Sequence, residues 1–260
     1  GTGRTAFAGN RIPVSSIASA SQKLVALVPQ PNAPGFANNY YVNTPISNTL
    51  QRVDTKYDWN ATSKIRVTGR FSQQHSNVFQ GTVFGDTLGG ANNHIAIGDV
   101  YSYSISSTYI ASPTFVVDGT WGLTWSNQTL SPPGTDKKYG SDVLGIPGTN
   151  LGTLPYAGGM PQFNISNYSM YGYAYTPLQY IDPVFQYTGN ATWIKGAHNV
   201  RFGADVSQQH MNHFEISPTQ FSFTGGVTAL KGGPAPNQFN SYADFLLGLP
   251  NSDTNSLQTV

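Results

Sequence analysis

From Arg52 to Trp59 the side chains alternate without a break: Val53, Thr55, Tyr57 and Trp59 fall on one parity, and Arg52, Asp54, Lys56 and Asp58 on the other. Only an extended strand sends successive residues to opposite faces, so this segment reads as a strand with one apolar and one charged face. Lys64 to Ser72 repeats the pattern, with Ile65, Val67 and Phe71 set against Lys64, Arg66, Thr68 and Arg70, and the intervening Asn-Ala-Thr-Ser is a turn. Two further hairpins follow the same rule. Tyr101 to Ile110 turns at Ala111-Ser112-Pro113 into Phe115 to Trp125, and Tyr187 to Trp193 turns at Lys195-Gly196-Ala197 into Asn199 to Val206. Tyr171 to Tyr175 and Gln220 to Thr224 are weaker strand candidates.

Between these hairpins lie long connections, 73 to 99, 127 to 185 and 210 onward, rich in Gly, Pro, Asn and aromatics. Structureless loops beyond ~12 to 15 residues are uncommon in an ordinary compact domain. Outer-membrane barrels do carry this asymmetry, with short periplasmic turns, long extracellular loops and strands that alternate lipid-facing with lumen-facing residues. Ten residues at ~3.4 Å each, tilted ~45°, rise about 24 Å, close to the ~25 Å apolar band of such barrels. Trp59, Trp125 and Trp193 are expected at strand ends, where interfacial aromatics gather. A soluble antiparallel sandwich would show the same alternation. The charged face Arg52, Asp54, Lys56, Asp58, Lys64, Arg66 and Arg70, with both signs adjacent in one hairpin, favours a wet lumen or packed polar plug.

Composition narrows the classes. Charged residues are only 10%, with 13 Lys plus Arg against 12 Asp plus Glu, so no basic nucleic-acid face is expected. Glu215 is the single Glu, and 28 Gly and 17 Pro interrupt the chain, which argues against a helical bundle. There is no Cys, hence no disulfide framework and no thiolate metal site. The start, GTGRTAFAGN, lacks an initiator Met and a signal-peptide pattern, as expected of a processed or excised piece. The expected fold is all-β: antiparallel hairpins with long loops, forming a partial transmembrane-type barrel or an open sheet completed by other chains. Residues 1–50 read as loop and helix, 51–211 as the hairpin region and 212–260 as loop and short helix. The short helices are placed near 19–28, stopped by Pro29, and near 242–249, stopped by Gly248 and Pro250.

The pieces Gly9 to Asn32 (GNRIPVSSIASASQKLVALVPQPN), NNYYVN, RVTGRFSQ (Arg66 to Gln73), SPTFVVDGTWGLTW, WIKGAHNVRFGAD (Trp193 to Asp205) and YADFLLGLP (Tyr242 to Pro250) together resemble the barrel region of TonB-dependent outer-membrane receptors. The subgroup they are most similar to is the Oar-like receptors with a carboxypeptidase-regulatory-like domain. The resemblance implies a barrel of about 22 strands closed by a plug and powered through a coupling box that contacts TonB. This chain reads as a smaller set of strands without plug, coupling box or regulatory domain. Free sheet edges would then be left to pair with the remainder of a longer receptor chain or with other copies.

Candidate chemistry is sparse. His210 and His213 with Glu215 form the one metal-like cluster, but a strand would point the two histidines to opposite faces, and no metal or cofactor is expected. No G-x-S-x-G elbow and no carboxylate pair suited to glycoside hydrolysis stands out, so the chain is not expected to be an enzyme. Tyr156, Phe163, Tyr168, Tyr171, Tyr173, Tyr175 and Tyr180 crowd the 127 to 185 connection with Asn and Gly, the residue palette of adaptable binding loops. They are candidates for holding a carbohydrate or peptide ligand, or for packing the loop against itself. The expected role is part of a receptor barrel in the bacterial outer membrane, in contact with lipid. The alternatives are an extracellular fibre unit joined through strand edges, and a soluble carbohydrate-binding sandwich.

Overall fold

The computed structural model describes residues 4–90, 94–150, 157–173, 177–230 and 238–259. In chain order the strands are β1 (Ile46–Asn60), β2 (Ile65–Gln80), β3 (Gly89–Gly90), β4 (His94–Ser112), β5 (Phe115–Ser131), β6 (Gln162–Ile165), β7 (Gly172–Tyr173), β8 (Leu178–Lys195), β9 (His198–Gln209), β10 (His213–Phe223) and β11 (Ser252–Thr259). The α-helices are α1 (Ser19–Leu27), α2 (Gly85–Leu88) and α3 (Gln238–Leu246). One antiparallel meander, β1-β2-β4-β5-β8-β10-β11, forms the main sheet, with β9 on β8 and β6 on β10. The sheet is open. The segment from 212, expected as loop and helix, carries two of its strands.

β9 and β10 lie on one line along β8. Gln209 pairs with Val184 and His213 with Tyr180, so the register is kept across the break. The ladder lapses at Pro183, which has no N–H to donate, while its carbonyl accepts from the His210 amide at 3.0 Å. A second proline, Pro218, sits where the register of β10 against β11 shifts, between Ser217 and Gln220.

The strands are much longer than a ten-residue span: β2 has 16 residues, β4 19 and β5 17. Register explains the excess. One outward row runs Thr55, Phe71, Tyr103, Leu123, Phe185, and the next Tyr57, Gly69, Ile105, Trp121, Tyr187. Above them stands Val53, Gln73, Tyr101, Trp125, and above that Gln51, His75, Asp99, Asn127. The outward face therefore turns from aromatic to polar within one row. Trp125 marks this upper edge and lies well inside β5, with the ring of Tyr101 5.5 Å away. Trp59 and Trp193 mark the lower edge beside the short turns.

All three short turns fall at one end of the sheet, and every long connection falls at the other. There the N-terminal segment, α1, α2, β6, β7, the top of β10 and α3 fold into a cap. Its core is Leu24, Leu88, Leu144, Met160, Phe163, Ile165, Tyr171, Tyr173, Phe223 and Phe245. The cap therefore holds the main buried core, while the strands below leave large apolar side chains such as Tyr57, Ile105 and Phe202 exposed. Lipid covers such a face in a membrane barrel. No second large sheet packs on it among the described residues, as a sandwich would require.

Candidate functional site

The inward face of the wall is mostly polar, with Val78, Val100, Val116, Leu130 and Val184 as apolar members. Successive rows read Asp54, Ser72, Ser102, Thr124; then Lys56, Arg70, Ser104, Gly122, Gln186; then Asp58, Thr68, Ser106, Thr120, Thr188, Asp205. Pairing places these groups together: across these rows the registers run unbroken, so parity carries from one strand to the next.

The charged hairpin is organised by ion pairs. Arg52 Nε meets Asp54 at 2.8 Å, Lys56 Nζ meets Asp58 at 2.7 Å, and Arg66 meets the other oxygen of Asp58 at 3.2 Å. Ser72 donates to Asp54 at 2.5 Å and Thr68 to Asp58 at 2.6 Å. These pairs are wet, and solvent screening keeps their contribution to stability small. Their effect is to fix the side chains along the wall.

Lys56 and Arg70 stand directly opposite each other, two like charges on one rung. Lys56 is neutralised by Asp58, whereas Arg70 makes no close ion pair among the described residues and its charge acts on Asp54 at longer range. Arg70 borders a polar hollow of about 260 Å³ over Gly122, with Ser72, Ser102, Ser104, Thr124 and Gln186 around it. Lys64 continues the β2–β4 pairing by one residue, its carbonyl accepting from the Ile110 amide at 2.8 Å. It sits in the β1–β2 turn, where its amide and that of Ile65 donate to Thr62 Oγ1 at 3.1 and 3.0 Å.

Inward-facing pairs that sequence inspection did not single out extend the polar wall to the far strands. Asn190 donates to Asp118 at 2.9 Å, Thr188 to Asp205 at 2.6 Å, and His213 Nε2 lies 3.1 Å from both oxygens of Asp182. Shared parity was the available signal, but the register between hairpins was needed to bring them together. His213 is thus taken by Asp182, and the His210 ring lies edge-on to Phe185. No three His, Asp or Glu side chains gather into a metal site among the described residues.

The loop aromatics divide. Phe163, Tyr171 and Tyr173 are buried in the cap core, where Phe163 contacts the rings of Phe221 and Phe245. Tyr173 donates its hydroxyl to the Asp86 carbonyl. Burial pushes the Tyr171 phenol up to about 12 and raises Tyr173 further in the same direction. Tyr168 is 39% exposed and stacks on Tyr242 with ring centroids 4.9 Å apart. Tyr180 sits on β8 with its ring 4.1 Å from that of His213. Tyr156 and Tyr175 lie outside the described residues. The aromatic crowding is therefore largely what builds the cap, with Tyr168 as its exposed member.

No curated protein and no solved structure matches the chain. A family model described as an outer membrane beta barrel domain matches residues 1–260. The polar inner face, the apolar outer belt and the one-sided distribution of long loops are the features of such a barrel, so the chain belongs to the outer membrane beta barrel domain family and its wall stands in the bacterial outer membrane.

Proposed function

We propose that this chain is part of the barrel of a TonB-dependent, Oar-like receptor and serves as a fixed wall for substrate uptake without catalysis of its own. The observation that carries this reading is the inner face. A mostly polar wall with ion pairs fixed along it, and Arg70 without a close ion pair among the described residues and beside hydroxyl groups, suits a surface against which a polar cargo or polar polypeptide moves. The cap at the long-loop end would receive the cargo first, a carbohydrate or peptide in this reading. The outward edge of β1, exposed along its whole length, would pair with further strands of the receptor.

The absence of cysteine makes the test direct. Single cysteines replace Phe36 in the cap, Ser104 in the lumen and Ser63 in a short turn. A membrane-impermeant maleimide applied to intact cells is expected to label Phe36→Cys, and Ser63→Cys only after the outer membrane is opened. Labelling of Ser104→Cys is expected to change when a protonophore collapses the inner-membrane gradient. Energy-independent labelling at Ser104 would refute powered uptake while leaving the barrel intact. The same free edges also support a fibre of strand-paired copies, and ordered detergent-free polymers of the 28.0 kDa chain would establish that alternative.

A further inference from the structure

Between the N-terminal segment and α3 the cap encloses an open groove of about 880 Å³, within the range of small-ligand sites. Its walls are mainly apolar: Phe7, Ile12, Phe239, Tyr242, Leu246 and Leu249. Among the described residues two cations line it, Arg4 and Arg11, and no carboxylate does.

The groove is held in shape from behind. Asp244, fully buried on α3, accepts hydrogen bonds from the amides of Val227 and Thr228 at 3.2 and 2.8 Å. That fixes the 225–230 segment against the helix. Arg4 bridges the same segment, donating from one terminal nitrogen to the carbonyls of Gly226 and Ala229 at 3.0 and 3.1 Å. Its remaining side-chain donors make no hydrogen bond among the described residues. Arg11 is exposed and makes no side-chain hydrogen bond or ion pair among the described residues. In a chain with only 10% charged residues, two guanidiniums beside an apolar groove form a strong local bias.

We propose that this groove binds an apolar organic carboxylate: the hydrocarbon part lies along α3 and the carboxylate meets Arg11, with Arg4 as the second donor. The guanidinium fork matches a carboxylate in shape as well as charge. A short hydrophobic peptide acid and a fatty acid share this chemistry. The site rests on the cap alone and does not require powered uptake.

The test uses the protein purified from its outer membrane into nanodiscs, with calorimetric titration of two probe pairs: N-acetyl-Leu-Leu-Phe acid against its amide, and dodecanoate against dodecanol. At least one acid is expected to bind, with its neutral partner weaker by about ten-fold or more. Which acid binds identifies the source. Arg11→Gln is expected to lower the affinity of that acid to that of its neutral partner, and Phe239→Ser, at a side chain 75% exposed, to weaken both members of the pair without disturbing the fold. Binding of neither acid, equal affinity for acid and neutral forms, or an unchanged Arg11→Gln variant would overturn the proposal. Because the titration reads the groove and the protonophore experiment reads the lumen, each reading can fail without the other.

Discussion

A charge placed on the outer face should cost stability according to its height in the membrane. Along β5 the outward positions run Phe115, Val117, Gly119, Trp121, Leu123 and Trp125. Ten steps of ~3.4 Å at a tilt of ~45° make the belt about 24 Å tall. Its midplane falls at position 120, and Ile105, paired with Trp121, lies about 2 Å from it. An arginine at that depth costs about 2–4 kcal/mol, falling to about 0–1 kcal/mol near the interface. Ile105→Arg should therefore be strongly destabilising. Asn127→Arg, on the same face about 17 Å above the midplane, should be nearly neutral. Ser106→Arg, one residue from Ile105 but on the polar face, should also be nearly neutral. Guanidinium unfolding of the protein folded into lipid vesicles, followed by tryptophan fluorescence, measures all three. Equal costs at Ile105 and Ser106 would refute the assignment of faces, and an Asn127 cost as large as that at Ile105 would refute the position of the upper boundary.

Two further expectations concern the cap. Phe245 is 1% exposed and touches the rings of Phe163, Phe223 and Tyr242, so Phe245→Ala should destabilise the cap by about 3–5 kcal/mol. Limited proteolysis should then cut the cap faster while tryptophan fluorescence of the wall is unchanged; loss of both together would show that the wall depends on the cap. The Tyr171 phenol, raised to about 12 from an ordinary value of ~10, favours the neutral form when folded. Its contribution to cap stability should be complete below pH ~10 and lost as pH rises through about 12, because the unfolded chain ionises first. Tyrosinate absorbance together with protease protection across that range tests this, and Tyr171→Phe should remove part of the loss.

The alternation around Arg52 to Trp59 was enough to identify strands, their faces and the hairpin turns, because the two-residue period of a strand is a local property of the backbone. The asymmetry between short turns and long connections left barrel and sandwich both open, and the charged face of the first hairpin was what favoured the barrel. Strand length was not legible. Above Trp125 the outward positions turn polar at Asn127, so hydropathy ends the pattern while hydrogen bonding carries β5 on to Ser131. The break between β9 and β10 was hidden for a related reason: Pro183 is on the neighbouring strand, and only pairing shows that it interrupts the ladder without shifting it.

The chain by itself determined what each strand shows to its two sides, since parity needs no partner. It also carried Arg70 and the row of hydroxyls, but as separate residues. Tertiary structure decided which of these share a rung, because register depends on every turn between them. It also decided the fate of the loop aromatics. Composition makes Phe163, Tyr171 and Tyr173 equally suited to binding and to packing, and they were committed to packing only when α1, α3 and β6 converged on them from distant parts of the chain. The groove between Arg4, Arg11 and α3 has the same origin, joining residues more than 200 positions apart whose proximity no local pattern encodes.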